Sequence, residues 1–272
     1  MKSVAFGQDY PADSLLHRLD PRMKIILTIL YIVCSFLCKN ILSYAVLAAS
    51  AIALILMAKI PLKIVFKGLK AVVFVLIFTS VLNIFWTKGD VPLIDWKFIQ
   101  IYSEGIYAAI FIVIRIISLI IGTGVFLTYT TTPIALTDAI EDLLSPLKKL
   151  HVPVHDFAMM MTIALRFIPL LVEETDKIMT AQKARGADFS SGGIVQRVKA
   201  LIPVIIPLFA SAFNRAGDLA IAMECRCYHG GEGRTRMTVR HIHARDFVVL
   251  FVIIALGASL IALNILSIGF TM

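Results

Sequence analysis

No glycine-rich loop ending in Lys-Ser or Lys-Thr occurs in this 272-residue chain, so it lacks a backbone cradle for nucleotide phosphates and any ATP must be handled by another chain. His-Glu-x-x-His is absent, as is Phe-x-x-x-His. The neighbouring carboxylates Glu173 and Glu174 therefore lack the second partner that general acid-base chemistry requires. Cysteine is scarce: Cys34 and Cys38 fall inside a predicted membrane helix, and Cys225 and Cys227 on a predicted cytoplasmic one. No disulfide framework follows, and the pattern is that of a reduced, cytosol-facing protein. Charge is also sparse. Only 16% of residues are charged against 59% hydrophobic, and the mean hydropathy is +0.88. A soluble domain cannot hide that much apolar surface. Acidic residues number 18 against 26 basic ones, a formal charge of +8. In a membrane chain this excess belongs to cytoplasmic loops and does not call for a nucleic-acid partner. Asp9, Asp13 and Asp20 precede the first apolar run, and no small-residue cleavage site follows it, so a cleaved signal peptide is not expected.

What is present reads as an all-α polytopic membrane protein with about five spans. Asp20-Pro21-Arg22 is a helix start, with Asp at the cap and Pro in the first turn. Spans are predicted over 22–39, 41–58, 68–86, 105–130 and 247–270. Lys24 and Lys39 are expected to snorkel to opposite surfaces of the first. Asn40 marks a tight turn, and the segment 87–103, with Trp96 near an interface, is a loop on the far side. From 131 to 245 continuous apolarity gives way to amphipathic, charged helices. A short one covers 137–144, and long ones cover about 154–185 and 194–228, the second carrying Pro203 and Pro207. The expected organisation is thus 1–130, a four-helix membrane region; 131–245, a cytoplasmic coupling region; and 246–272, a last span. Of the 26 Lys and Arg, Lys39, Lys88 and Lys97 fall on one side, Arg115 falls inside a span and the other 22 fall opposite. That bias sets the N-terminus inside and the C-terminus outside. The apolar parts of the two long helices, 157–172 and 194–213, contain Arg166, Arg197 and Lys199. A helical hairpin across the membrane is one reading of them, but these charges, with Pro203 and Pro207, favour helices that lie along or dip into the cytoplasmic surface.

Two stretches organise the functional half: Ala184-Arg185-Gly186 at the end of one long helix, and Cys225-Arg226-Cys227, 41 positions on, at the end of the next. Gly186 suits the left-handed position past a helix end, and Arg185 suits the C-terminal dipole. Cys227 would bear the cost of left-handed backbone, so Arg226 is expected inside the helix, with Gly230-Gly231 as the stop. Small neighbours allow a close backbone approach, and a guanidinium offers a planar fork to a carboxylate. Paired arginine tips on long helices, late in a chain of this hydropathy and preceded by Asp20-Pro21-Arg22, resemble the transmembrane T component (EcfT family) of energy-coupling factor (ECF) ABC transporters.

The resemblance implies a non-catalytic scaffold. Two ABC ATPase subunits would dock on Ala184, Arg185 and Gly186 and on Cys225, Arg226 and Cys227. A membrane-embedded substrate-binding S component would capture a vitamin or other micronutrient, with no cofactor or metal in the chain itself. The second tip departs from the family's Ala-Arg-Gly by carrying Cys on both sides of the Arg. Arg115, about ten residues into a span, contacts either the S component or a neighbouring helix, since a charge at such a depth needs a partner. Three alternative readings fit the sequence less well. A self-sufficient secondary transporter or channel should show repeated halves or several charged, broken helices at mid-membrane, and only Arg115 qualifies. An intramembrane protease built on Glu173-Glu174 lacks its second partner, and Glu173 is expected to pair with Lys177 on a solvated face. A zinc site from Cys225, Cys227, His229, His241 and His243 matches no common ligand spacing.

Overall fold

The computed structural model describes residues 10, 12–86, 92–96, 99–189, 193–230 and 242–266, without the side chains of 92–96, 99–101 and 194. Lys88, Lys97, Ser190 and His241 lie outside the described residues, as does the end of the last expected span. Nine α-helices are described: α1 Pro21–Phe36, α2 Ile41–Ala58, α3 Leu62–Lys70, α4 Val73–Trp86, α5 Ser103–Thr123, α6 Pro133–Leu143, α7 Val154–Ala184, α8 Ile194–Cys225 and α9 Ala244–Ile265. A two-stranded antiparallel ribbon, β1 Pro92–Trp96 with β2 Ile99–Tyr102, sits in the loop before α5, pairing Trp96 with Ile99 and Pro92 with Tyr102. The architecture is all-α apart from this ribbon. The chain falls into two compact units, one within Gly7–Leu136 and Val239–Met272, the other within Thr137–Thr238, with the boundary inside α6.

In the first unit α5 packs against α1, α2 and α4, and α1 also packs against α9. Asp20 caps α1 by accepting from Arg22 N at 2.9 Å, and Pro21 occupies the first turn. Its upper half meets α5 and α9 through small residues. The Tyr31 ring packs closely on Gly122 and stands edge-on to Phe126 at 6.4 Å, and Cys34 packs on Gly257. Lipid tails are as apolar as leucine, so close backbone approach and polar stitching, not burial from water, hold such helices together. Both ends of α1 are stitched. At the first, Asp246 Oδ1 accepts from Asp20 N at 3.1 Å and Oδ2 from His243 N at 2.6 Å, tying the start of α9 to the start of α1. At the other, Asn264 donates to Leu37 O and Ser43 donates to Asn264 at 3.1 Å, while Asn40 reaches Leu263 O at 3.2 Å.

Several expectations need correction. Lys24 does not snorkel: it is 1% exposed, and its Nζ donates to Thr130 O at 2.7 Å and His17 O at 3.3 Å. The segment before α1 folds over the helix start, so the ammonium meets carbonyls where water was expected. The span expected at 68–86 is broken, α3 and α4 meeting at 60° across Ala71-Val72. Lys63, Lys67 and Lys70 keep α3 amphipathic, with Val65 its buried residue, so it does not continue the apolar α4. The first helix ends at Phe36, three residues sooner than read. By length and apolarity, α2, α5 with its π-turn (Ser103–Thr128), α7, α8 and α9 can each cross a membrane. This set of five differs from the expected one, because α1 is 16 residues long and α7 and α8 join the list.

Candidate functional site: two arginine tips

In the second unit α7 and α8 run antiparallel. Glu174 Oε2 meets Arg215 Nη2 at 3.1 Å, and Gln182 Nε2 donates to Pro203 O at 3.2 Å, so rising numbers on α7 face falling numbers on α8. The two C-termini therefore point to opposite ends of the pair. Arg185 lies three residues past the Gln182 contact, whereas Arg226 lies 23 residues past Pro203, which at 1.5 Å per residue is about 35 Å along the axis. The expected Glu173–Lys177 pair is not among the ion pairs of the described residues; Glu174 pairs with Arg215 instead.

The two tips are built alike, which corrects the reading of the second. Each helix stops at the residue before the arginine, and the arginine is the C-cap: Arg185 at φ −86°, ψ 6° and Arg226 at φ −95°, ψ 16°. The next residue is left-handed in both, Gly186 at φ 89° and Cys227 at φ 56°. Gly186 N then donates to Lys183 O at 3.0 Å and Ala187 N to Gln182 O at 3.0 Å. Cys227 N donates to Glu224 O at 2.9 Å and Tyr228 N to Met223 O at 3.0 Å. This double closure, the Schellman pattern, satisfies carbonyls that a helix end otherwise leaves open. The expectation that Cys227 would refuse such a backbone undervalued these two bonds. Ala184, Arg185, Gly186, Cys225, Arg226 and Cys227 are all exposed. Among the described residues neither Arg185 nor Arg226 has an ion-pair partner. Each tip thus offers a guanidinium unpaired among the described residues, at the negative end of a helix dipole and on a backbone with little side-chain bulk around it.

Little else in α7 and α8 is covered. Val154 and Ala158 are the buried residues of α7, and Val204 that of α8. Val195, Val198, Ile202, Ile205, Phe209 and Phe213 form an exposed stripe at helical spacing along α8.

Arg115 stands apart from the tips, in the first unit. Its Nη2 donates to Cys38 O at 3.1 Å and to the Tyr44 hydroxyl, and its guanidinium lies 5.4 Å from the Tyr44 ring centre and 5.8 Å from that of Phe36. Cys38 lies just past the last turn of α1. The charge on α5 thus sits level with the α1–α2 turn, beside carbonyls and two aromatic faces. Cys34 and Cys38 are buried packing residues. Among the described residues no group of three His, Cys, Asp or Glu converges as a metal site.

A family model described as cobalt transport protein (CbiQ) matches residues 12–239. The energy-coupling factor transporter transmembrane protein EcfT of Clostridium kluyveri is 50% identical over 249 residues, covering 91% of this chain and 92% of that protein. The proteins of the same name from Ruminiclostridium cellulolyticum and Bacillus subtilis are 54% identical over 237 residues and 46% over 264, covering 87% and 97% of this chain and 88% and 99% of theirs. The chain belongs to this family. It is a transmembrane T component of an ECF transporter, a multi-pass membrane protein, and the secondary-transporter and intramembrane-protease readings are set aside. Sequence reasoning found the two tips by their repeated small-Arg-small pattern. It missed Gln182 and Arg215, although Pro207, by removing one N–H from α8, signals that the Pro203 carbonyl needs a donor from elsewhere.

Proposed function

We propose that the chain is the energy-coupling scaffold of an ECF-type importer of a vitamin or other micronutrient, non-catalytic itself, with ATP hydrolysed by two ABC ATPase subunits. One ATPase docks on Ala184, Arg185 and Gly186, the other on Cys225, Arg226 and Cys227. A membrane-embedded S component supplies substrate choice. The observation that carries this reading is the pair of exposed tips with the same cap geometry, each with a guanidinium that has no ion-pair partner among the described residues, about 39 Å apart along the hairpin by helix rise. One partner surface of ordinary curvature does not take both; two copies or homologues of one partner do. The uncovered stripe on α8 supports a further apolar partner, the S component or the bilayer. The basic-residue bias supports a prokaryotic plasma-membrane protein with the N-terminus and both tips in the cytoplasm and the C-terminus outside. On this reading 131–245 is the coupling region between membrane parts at 1–130 and 246–272, and Arg115 is an internal fastener of the α1–α2 turn.

The test is co-purification and uptake with Arg185→Ala, Arg226→Ala and the double variant. Removing one member of a buried charge-assisted pair typically costs about 2 to 5 kcal/mol, because the partner carboxylate is left unpaired. Each single should weaken one dock while the other keeps the ATPase pair near by effective concentration. The double should lose assembly, or hydrolyse ATP without uptake, with membrane insertion intact. Full assembly and full uptake in the double variant would make these tips ordinary helix ends.

A further inference from the structure

We infer that Gln182 is a positioning residue that sets the angle of the α7 tip against α8, by occupying a carbonyl that Pro207 leaves vacant. In a regular helix the N–H of residue 207 would bond the carbonyl of residue 203. Pro207 has no N–H, so Pro203 O loses its intrahelical donor. Gln182 Nε2 fills the position from the other helix at 3.2 Å. The second fastening between the helices, Glu174 to Arg215 at 3.1 Å, lies on the other side of Pro207 along α8. Two pins therefore straddle the proline. With both in place the last turns of α7 cannot pivot; with the Glu174–Arg215 pin alone they can.

The geometry makes the consequence specific. Gln182 is three residues from Arg185, so whatever moves the arginine tip strains this bond first. Arg215 is on the same unbroken stretch of α8 as Arg226, beyond Pro207. The spacing between the two tips is thus fixed by the Gln182–Pro203 bond and by the stiffness of α8 across its missing hydrogen bond. A bond from a neutral side-chain amide contributes only about 0.5 to 1.5 kcal/mol net, small enough to break and remake when a partner pulls on a tip. The functional consequence, adjustable spacing between two docks, rests on the docking reading above; the pin itself does not.

The test uses the full chain in lipid nanodiscs without partners. Spin labels are attached through a ketone-bearing amino acid at Lys183 and Ala220, both exposed, so that the native cysteines stay in place. Gln182→Met keeps length and helix propensity but removes the donor. Lys183 lies nine residues beyond Glu174, about 14 Å of helix, so a pivot of about 10° moves it by about 2 to 3 Å. The distance distribution should broaden or shift by that amount in Gln182→Met. Pro207→Ala supplies an N–H to the Pro203 carbonyl. Alone it should shift the distribution in the same direction, and adding Gln182→Met should then change it by less than half as much as in the wild-type background. An unchanged distribution in Gln182→Met, or effects of the two substitutions that simply add, would overturn the inference. Because no ATPase is present, this outcome is independent of whether Arg185→Ala and Arg226→Ala lose assembly, and the two readings can fail separately.

Discussion

Gly186 and Cys227 hold the same place in the two tips but bear different costs. A left-handed backbone costs a residue with a Cβ roughly 1 to 2 kcal/mol, and glycine almost nothing. Nothing lies within 4 Å of where a Cβ on Gly186 would stand, so the backbone is the only penalty for a side chain there. Gly186→Ala should therefore loosen the end of α7 by about 1 kcal/mol, and Cys227→Gly should tighten the end of α8 by a similar amount. Hydrogen exchange at Ala187 N and Tyr228 N, which close the two caps, measures both. Equal exchange in variant and wild type at either amide would mean that the caps are not held by these bonds. The sequence alone suggested the first cap because glycine advertises a left-handed site. It could not suggest the second, since cysteine carries no such signal and the bonds that compensate it are made by backbone. Lys24 failed for a related reason: a lysine near a span end reads as snorkelling unless one knows that Thr130 O and His17 O are brought over it.

Among the elements, those whose apolarity is continuous were legible and those whose character depends on a neighbour were not. The placement of α2, α5 and α9 follows from hydropathy. The break between α3 and α4 does not, because the apolar run of α4 begins at Ala71-Val72 with no glycine or proline there to mark a bend, and only the lysines of α3 hint at a helix lying at another angle. The pairing of α1 with α5 depends on one small residue. A Cβ on Gly122 would stand well inside contact distance of Tyr31 Cε1, on a ring that is 1% exposed and has nowhere to swing. Gly122→Ala should force the helices apart at a cost of about 1 to 3 kcal/mol, as overpacking does. The thermal unfolding midpoint in detergent should fall, and Tyr31→Leu in the same chain should recover part of the loss. A Gly122→Ala chain as stable as wild type would show that α1 and α5 do not meet at this point. Chemically similar glycines at the tips and in the spans thus act differently, one through backbone freedom and the other through the room it leaves.

For the whole molecule, the distribution of basic residues and the exposure of four cysteines combine into one test of topology and docking. Cys225 and Cys227 are exposed, while Cys34 and Cys38 are 2% and 1% exposed, so a membrane-impermeant maleimide reports almost solely on the second tip. The proposed topology, with 22 basic residues on the inner side against Lys39, Lys88 and Lys97 on the outer, puts the tip in the cytoplasm. Intact cells should then leave the wild-type chain unlabelled, and inside-out vesicles stripped of partner subunits should label it fully. In a background with Cys225→Ser and Cys227→Ser, Lys39→Cys should behave oppositely and react in intact cells, since Lys39 is exposed at the other end of α1. If an ATPase covers Cys225-Arg226-Cys227, inside-out vesicles that retain the partners should label several-fold more slowly than stripped ones. Arg226→Ala should abolish that protection, because the anchor is lost while the thiols remain. Labelling of wild-type chain in intact cells would reverse the topology. Equal rates with and without partners would leave the topology standing and remove the second tip as a docking site.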